Sequence, residues 1–138
     1  MPSISRQIAA WVEALRYEDL PPAVIDRAKG VTLHALASAL IGHAMPESRQ
    51  ALRMMQAEEA GGSGGARVIG DGVRLTRGGA GLVNAEMIFA GGKWDTFRML
   101  THPSCAILPA ALAAADTEEI SGRAFITAVV AGYEVMER

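Results

Sequence analysis

The side chains best suited to chemistry crowd into residues 93–105: Lys93, Asp95, Thr96, Arg98, His102, Ser104 and Cys105. His102 carries an imidazole, a group that can either donate or accept a proton. Asp95 can orient that ring or hold a substrate hydroxyl, with Thr96 and Ser104 a few residues away. Lys93 and Arg98 can pair with a substrate carboxylate. The stretch KWDTFRMLTHPS, 93–104, has no helical or strand period and reads as a loop. Loops held between rigid helices are where catalytic groups tend to be placed. The same residues support a second reading, in which Thr101-His102-Pro103-Ser104 simply caps the next helix. Residue types alone leave both open.

Other candidates read as structural. His34 lies in the apolar run VTLHALASALIG and is expected to be a packed, hydrogen-bonded core residue. His43 lies just beyond that helix, as a surface or C-terminal capping histidine. Cys105 opens an apolar segment and reads as a small buried thiol. No metal site is expected: the histidines show neither HExxH nor an i, i+4 pair, and a single cysteine excludes a multi-cysteine zinc site or an internal disulfide. The glycine run GGSGG, 61–65, lacks the Gly-Lys-Ser/Thr ending of a P-loop and the spacing of a dinucleotide fingerprint, so it reads as a connector.

The elements that must position residues 93–105 follow from composition and period. The 138 residues fit one domain, and a 50% hydrophobic content supports an ordered core. A net charge of −2 with no basic stripe gives no footprint for nucleic acid. No apolar run is long enough for a membrane span, and the N-terminus does not read as a signal peptide, so a soluble cytoplasmic chain is expected. Twenty-five alanines against 7 aromatic residues predict a mainly α fold.

Six helices and one hairpin are expected. Ser3 caps a helix to about residue 16, with Ile4, Ile8, Trp11, Val12 and Leu15 on one stripe. Pro22 opens a helix over 22–42, apolar nearly all round in its second half, as if buried in a bundle or against a partner. A third helix covers 46–59. Asp71–Gly72 between β-branched runs signals a hairpin with strands at 66–69 and 73–76. A helix over 78–90 stops at Gly91–Gly92. CAILPAALAAAD, 105–116, is a short helix in which Pro109 sits near the first turn or kinks it. Ser121 caps the last helix, with Phe125, Val129, Tyr133 and Met136 on one face. That helix reaches Arg138 with no terminator, a pattern that reads as a truncated polypeptide or an incomplete domain.

Three stretches carry a resemblance to a known family: LRYEDLPPAVIDRAKGVTLHALASALIG, ARVIGDGVRL…GGAGLVNAEMIFA and THPSCAILPAALAAADTEEISGRAFITAVVAGYEVMER. In that order they resemble the N-terminal part of the MmgE/PrpD family, over nearly the whole of residues 1–138. The family includes 2-methylcitrate dehydratase, cis-aconitate decarboxylase and an iminodisuccinate epimerase. The resemblance implies part of a large all-helical domain, with no cofactor, and a homodimeric, cytosolic or mitochondrial enzyme. The implied substrates are small polycarboxylates, and the chemistry is proton transfer next to a carboxylate.

By the same resemblance, His102 matches the histidine of the family's His-Pro-Ser segment, which lies in the active site. Asp95 and Thr96 match the last two positions of its Asp-Phe-Asp-Asp-Thr loop. Gly92 and Trp94 stand where that loop has acids, and Asn84-Ala85 where it has Asn-Gly. The first replaced aspartate is an active-site residue in the family. The family's other catalytic residues lie beyond position 138. The resemblance thus implies the N-terminal segment of a lyase or isomerase, inactive alone: a fragment, or one half of a split pair completed by a separate C-terminal half. In it His102, Asp95 and Thr96 would be catalytic, with Lys93 and Ser104 binding substrate. The alternative is a non-catalytic helical module that oligomerises or pairs with that other half.

Overall fold

The computed structural model describes residues 2–60, 64–98 and 101–138. Along the chain come α1 (Ile4–Ala14), a 3₁₀ turn (Tyr17–Asp19), α2 (Pro22–Gly42), α3 (Pro46–Glu58), β1 (Ala66–Arg67), β2 (Arg74–Leu75), α4 (Arg77–Ala90), α5 (Pro103–Glu118) and α6 (Gly122–Glu137). The fold is mainly α with one short antiparallel hairpin, as expected. Helix starts follow local chemistry. The side chains of Ser3, Thr76 and Ser121 accept from the amides of Arg6, Gly79 and Ala124, at 3.4, 3.1 and 3.2 Å. Pro22, Pro46 and Pro103 occupy first turns, where a missing N–H leaves no intrahelical bond unmade.

The core is built around α4. Ala80, Val83, Met87 and Ile88 are fully buried, with α2, α3 and α5 packed around them. The α2–α4 crossing is close because glycine stands at both contact points. A Cβ on Gly42 would lie 1.9 Å from the Met87 carbonyl oxygen, and one on Gly91 would lie 2.0 Å from that of Ser38.

The hairpin is shorter than expected. It pairs Ala66 with Leu75 and Arg67 with Arg74, and one further bond runs from Val68 N to Val73 O at 2.8 Å. Two helices brace it, as so small a ladder requires. Asn84 of α4, 1% exposed, accepts from Ile69 N at 2.9 Å and donates to Arg67 O at 3.0 Å. From α5, Asp116 accepts from Arg67 N at 2.8 Å and Nε at 2.9 Å.

Several expectations need correction. His34 is exposed, not a core residue, and Leu33, Leu40 and Ile41 beside it are 70%, 61% and 56% exposed. Helix α2 buries Ala28, Ala35, Ser38, Ala39 and Gly42, since only small residues allow the approach to α4. Helix α1 carries its apolar stripe but buries none of it. Helix α5 starts at Pro103, so Pro103 and Ser104 belong to the helix and not to the loop before it. Pro109 lies in its interior, where its missing N–H leaves the Cys105 carbonyl without the usual helical donor. The connector expected at 61–65 falls largely outside the described residues, which include only Gly64 and Gly65 of it.

Candidate functional site

The loop after α4 is tied down residue by residue. Ser38 of α2, fully buried, donates to Ile88 O at 2.8 Å and accepts from Lys93 N at 3.3 Å, which fixes where the loop departs. Gly92 turns the chain with φ 68°, a conformation that costs glycine little. Trp94 donates its indole N–H to Phe89 O at 2.7 Å and stacks on the Phe89 ring at 4.8 Å between centroids. Further on, Phe97 N donates to Thr101 O at 2.9 Å and closes a small bridge.

Asp95 is the centre of the arrangement. Its Oδ1 accepts from Ser104 N at 3.0 Å and Ser104 Oγ at 2.5 Å, and its Oδ2 accepts from the Tyr133 hydroxyl of α6. Asp95, and not Thr101–Ser104, supplies the side-chain cap at the start of α5. His102 holds the N-cap position of α5 but makes no side-chain cap bond. A carboxylate beside the first amides of a helix also meets the positive end of its dipole.

The His102 ring thus takes no part in the cap. Its Nδ1 lies 3.0 Å from the Asp95 main-chain oxygen and 3.4 Å from Thr96 Oγ1. The ring stands 4.8 Å from that of Trp94, tilted by 52°, with Phe89 edge-on at 6.5 Å. Lys93 and Thr96 are exposed, and Arg98 lies over the Phe97 ring. Ser104 is 2% exposed, with both its N–H and its hydroxyl on Asp95. The structure thus brings together Asp95, Thr96, His102 and Ser104, and leaves the Lys93 side chain at the surface.

Tyr133 is the member that sequence reasoning missed as a site residue. Helical period placed it on a packed face, but nothing local pairs it with a loop residue 38 positions away. Burial, then Asp95, pushes its phenol well above the ordinary range. Burial and the Asp95 charge likewise push the Cys105 thiol up, so Cys105 is no ready thiolate. His43 takes part in a separate cluster, with Nε2 2.9 Å from Asp71 Oδ2.

An open trough of about 770 Å³ lies between α3, α4 and α5. Met54, Leu82 and Phe89 line it, with Glu47 and Glu86 among them and, among the described residues, no lysine or arginine. An apolar trough with acidic groups does not suit a polycarboxylate. Among the described residues no three His, Cys, Asp or Glu side chains cluster as a metal site would need.

Comparison with known proteins bears on the whole chain. The MmgE/PrpD N-terminal domain matches residues 6–138. A cis-aconitate decarboxylase-like protein, oryM, of Aspergillus oryzae is 30% identical over 145 residues, covering 99% of this chain and 30% of that protein. A cis-aconitate decarboxylase of Aspergillus terreus is 30% identical over 138 residues, covering 95% of this chain and 28% of that protein. The chain spans less than a third of the length of these curated relatives. No solved structure matches at comparable significance. With the match running through the His102 loop and both helices behind it, the chain belongs to the MmgE/PrpD family, within its N-terminal domain.

Proposed function

We propose that this chain is the N-terminal portion of a cofactor-free, cytoplasmic lyase or isomerase that moves a proton next to a carboxylate of a small di- or tricarboxylate. The observation that carries the proposal is the 3.0 Å contact between His102 Nδ1 and the Asp95 carbonyl oxygen. A carbonyl oxygen only accepts, so Nδ1 carries the proton and Nε2 of the neutral ring keeps its lone pair. Nε2 then serves as the base at the carbon beside a carboxylate, and its conjugate acid returns the proton.

Thr96 orients the ring and Lys93 supplies a cation for a substrate carboxylate. Asp95 and Ser104 act by positioning, because their polar atoms are engaged with each other and with Tyr133. The relatives named as cis-aconitate decarboxylases support the tricarboxylate class. Proton abstraction beside a carboxylate also needs an opposing acid and fixed cationic clamps. Further polypeptide or a separate C-terminal half supplies these, and residues 1–138 alone do not turn over. A second reading, a non-catalytic helical module, draws on the exposed apolar faces of α1 and α2.

The test is an absorbance assay on cis-aconitate and 2-methylcitrate, with the chain alone and completed by the missing part. Turnover should appear only on completion, and His102→Ala should cut it by about 10²–10⁴-fold. Undiminished turnover by the His102→Ala assembly would remove His102 from the chemistry. A folded, completed assembly without turnover on either substrate would favour the helical module.

A further inference from the structure

We propose that Tyr133 is a positioning residue for His102: its hydroxyl locks the Asp95 side chain, and the Asp95 carbonyl in turn holds the imidazole in its Nδ1–H form. This rests on the acid–base reading of His102, but its first test needs no turnover.

His102 directly precedes Pro103, so its place follows the start of α5. The carbonyl it donates to belongs to the loop, where Asp95 has no ladder or helix to hold its main chain. The distance between the two is set by how firmly the loop is moored. Ser104 moors one carboxylate oxygen from α5, and the carboxylate can still swing about that point. Tyr133 moors the other oxygen from α6. Two anchors on different helices fix both the position and the orientation of Asp95.

Gly132 lets α6 come close enough for this. A Cβ there would meet Ile107 Cγ2 of α5 at 2.8 Å. Tyr133 is half-buried, and its phenol, like any tyrosine hydroxyl at neutral pH, is a proton donor. Without its hydroxyl, Asp95 Oδ2 loses its partner and turns toward water. The loop carbonyl then drifts from Nδ1. The ring reverts toward the Nε2–H form, which a histidine side chain favours in water, and the lone pair leaves the nitrogen that needs it.

The experiment is long-range ¹H–¹⁵N NMR of the His102 ring in the full chain, at a pH where the ring is neutral. Wild type should show the Nδ1–H tautomer. Tyr133→Phe, which keeps the packed ring, should shift His102 toward Nε2–H, and so should Asp95→Asn. In the completed enzyme Tyr133→Phe should lower kcat by up to about 10²-fold with KM little changed, as misplacement of a catalytic group does. A wild-type ring in the Nε2–H form would overturn the proposal. So would an Nδ1–H ring that persists in either variant. An enzyme indifferent to His102→Ala would sink the acid–base reading while leaving the tautomer result standing.

Discussion

Arg49 of α3 holds both carboxylate oxygens of Asp71 through one nitrogen, at 2.9 and 2.8 Å. This contact fastens the hairpin turn to the end of α2 and the start of α3, because His43 meets the same carboxylate. Gly70 closes the joint. Its φ is 82°, and a Cβ there would lie 2.8 Å from His43 Cδ2. The Asp-Gly signal in the sequence marks this turn, but Asp71 does more than turn the chain.

Acid should loosen that joint. Burial raises the Asp71 pKa, but Arg49 and His43 outweigh it and hold the carboxyl below its ordinary value. Asp116, held by Arg67, is lowered likewise. A carboxylate lowered in the folded state contributes stability that is complete above its unfolded pKa, about 3.9. That contribution fades as pH falls through the folded value. Thermal melts of wild type and Asp71→Asn should therefore differ most near neutrality and converge below about pH 4. A gap that widens on acidification would contradict the sign.

The α2–α4 crossing should tolerate no methyl group. Gly42→Ala and Gly91→Ala each drive a Cβ into backbone, which cannot move as a side-chain tip can. Overpacking costs about 1–3 kcal/mol and sometimes more. Urea melts should show each variant destabilised by at least that much, whereas Gly72→Ala meets no atom within 4 Å and bears only its positive φ. Equal losses at all three positions would show that close approach is not the cause.

Asn84→Leu keeps the count and branching of the side-chain heavy atoms, with a somewhat larger bulk, but leaves Ile69 N and Arg67 O without their side-chain partner. The expected cost is about 1–3 kcal/mol per group left unpaired. Hydrogen exchange should accelerate first at Val68 and Ile69. Unchanged protection there would mean that α5 alone holds the hairpin.

Exposed apolar faces should drive association. Ile4, Ile8, Trp11 and Val12 of α1 and Leu33, Leu40 and Ile41 of α2 all face solvent. Light scattering at tens of micromolar is expected to give a dimer or larger. A strictly monomeric mass would count against it.

The local layers were legible from residues alone. Ser3 and Ser121 mark helix starts because capping involves neighbours three positions apart, and Pro22 and Pro46 do so because proline fits a first turn. The hairpin was legible because Asp-Gly favours the turn whatever surrounds it. Asp95 and His102 were legible as neighbours because a single short loop carries both. The tertiary structure alone decided which face each helix buries and who meets whom across it. A helix apolar all round, as α2 is in its second half, has no period to name its inner face. Ala35, Ser38, Ala39 and Gly42 went inward because only small residues permit contact with α4, and His34 was left outside with Ala37. Asp95 likewise offers two oxygens to any donor. That Ser104 and Tyr133 take them follows from the packing of α5 on α6, a relation between distant segments that no local pattern encodes.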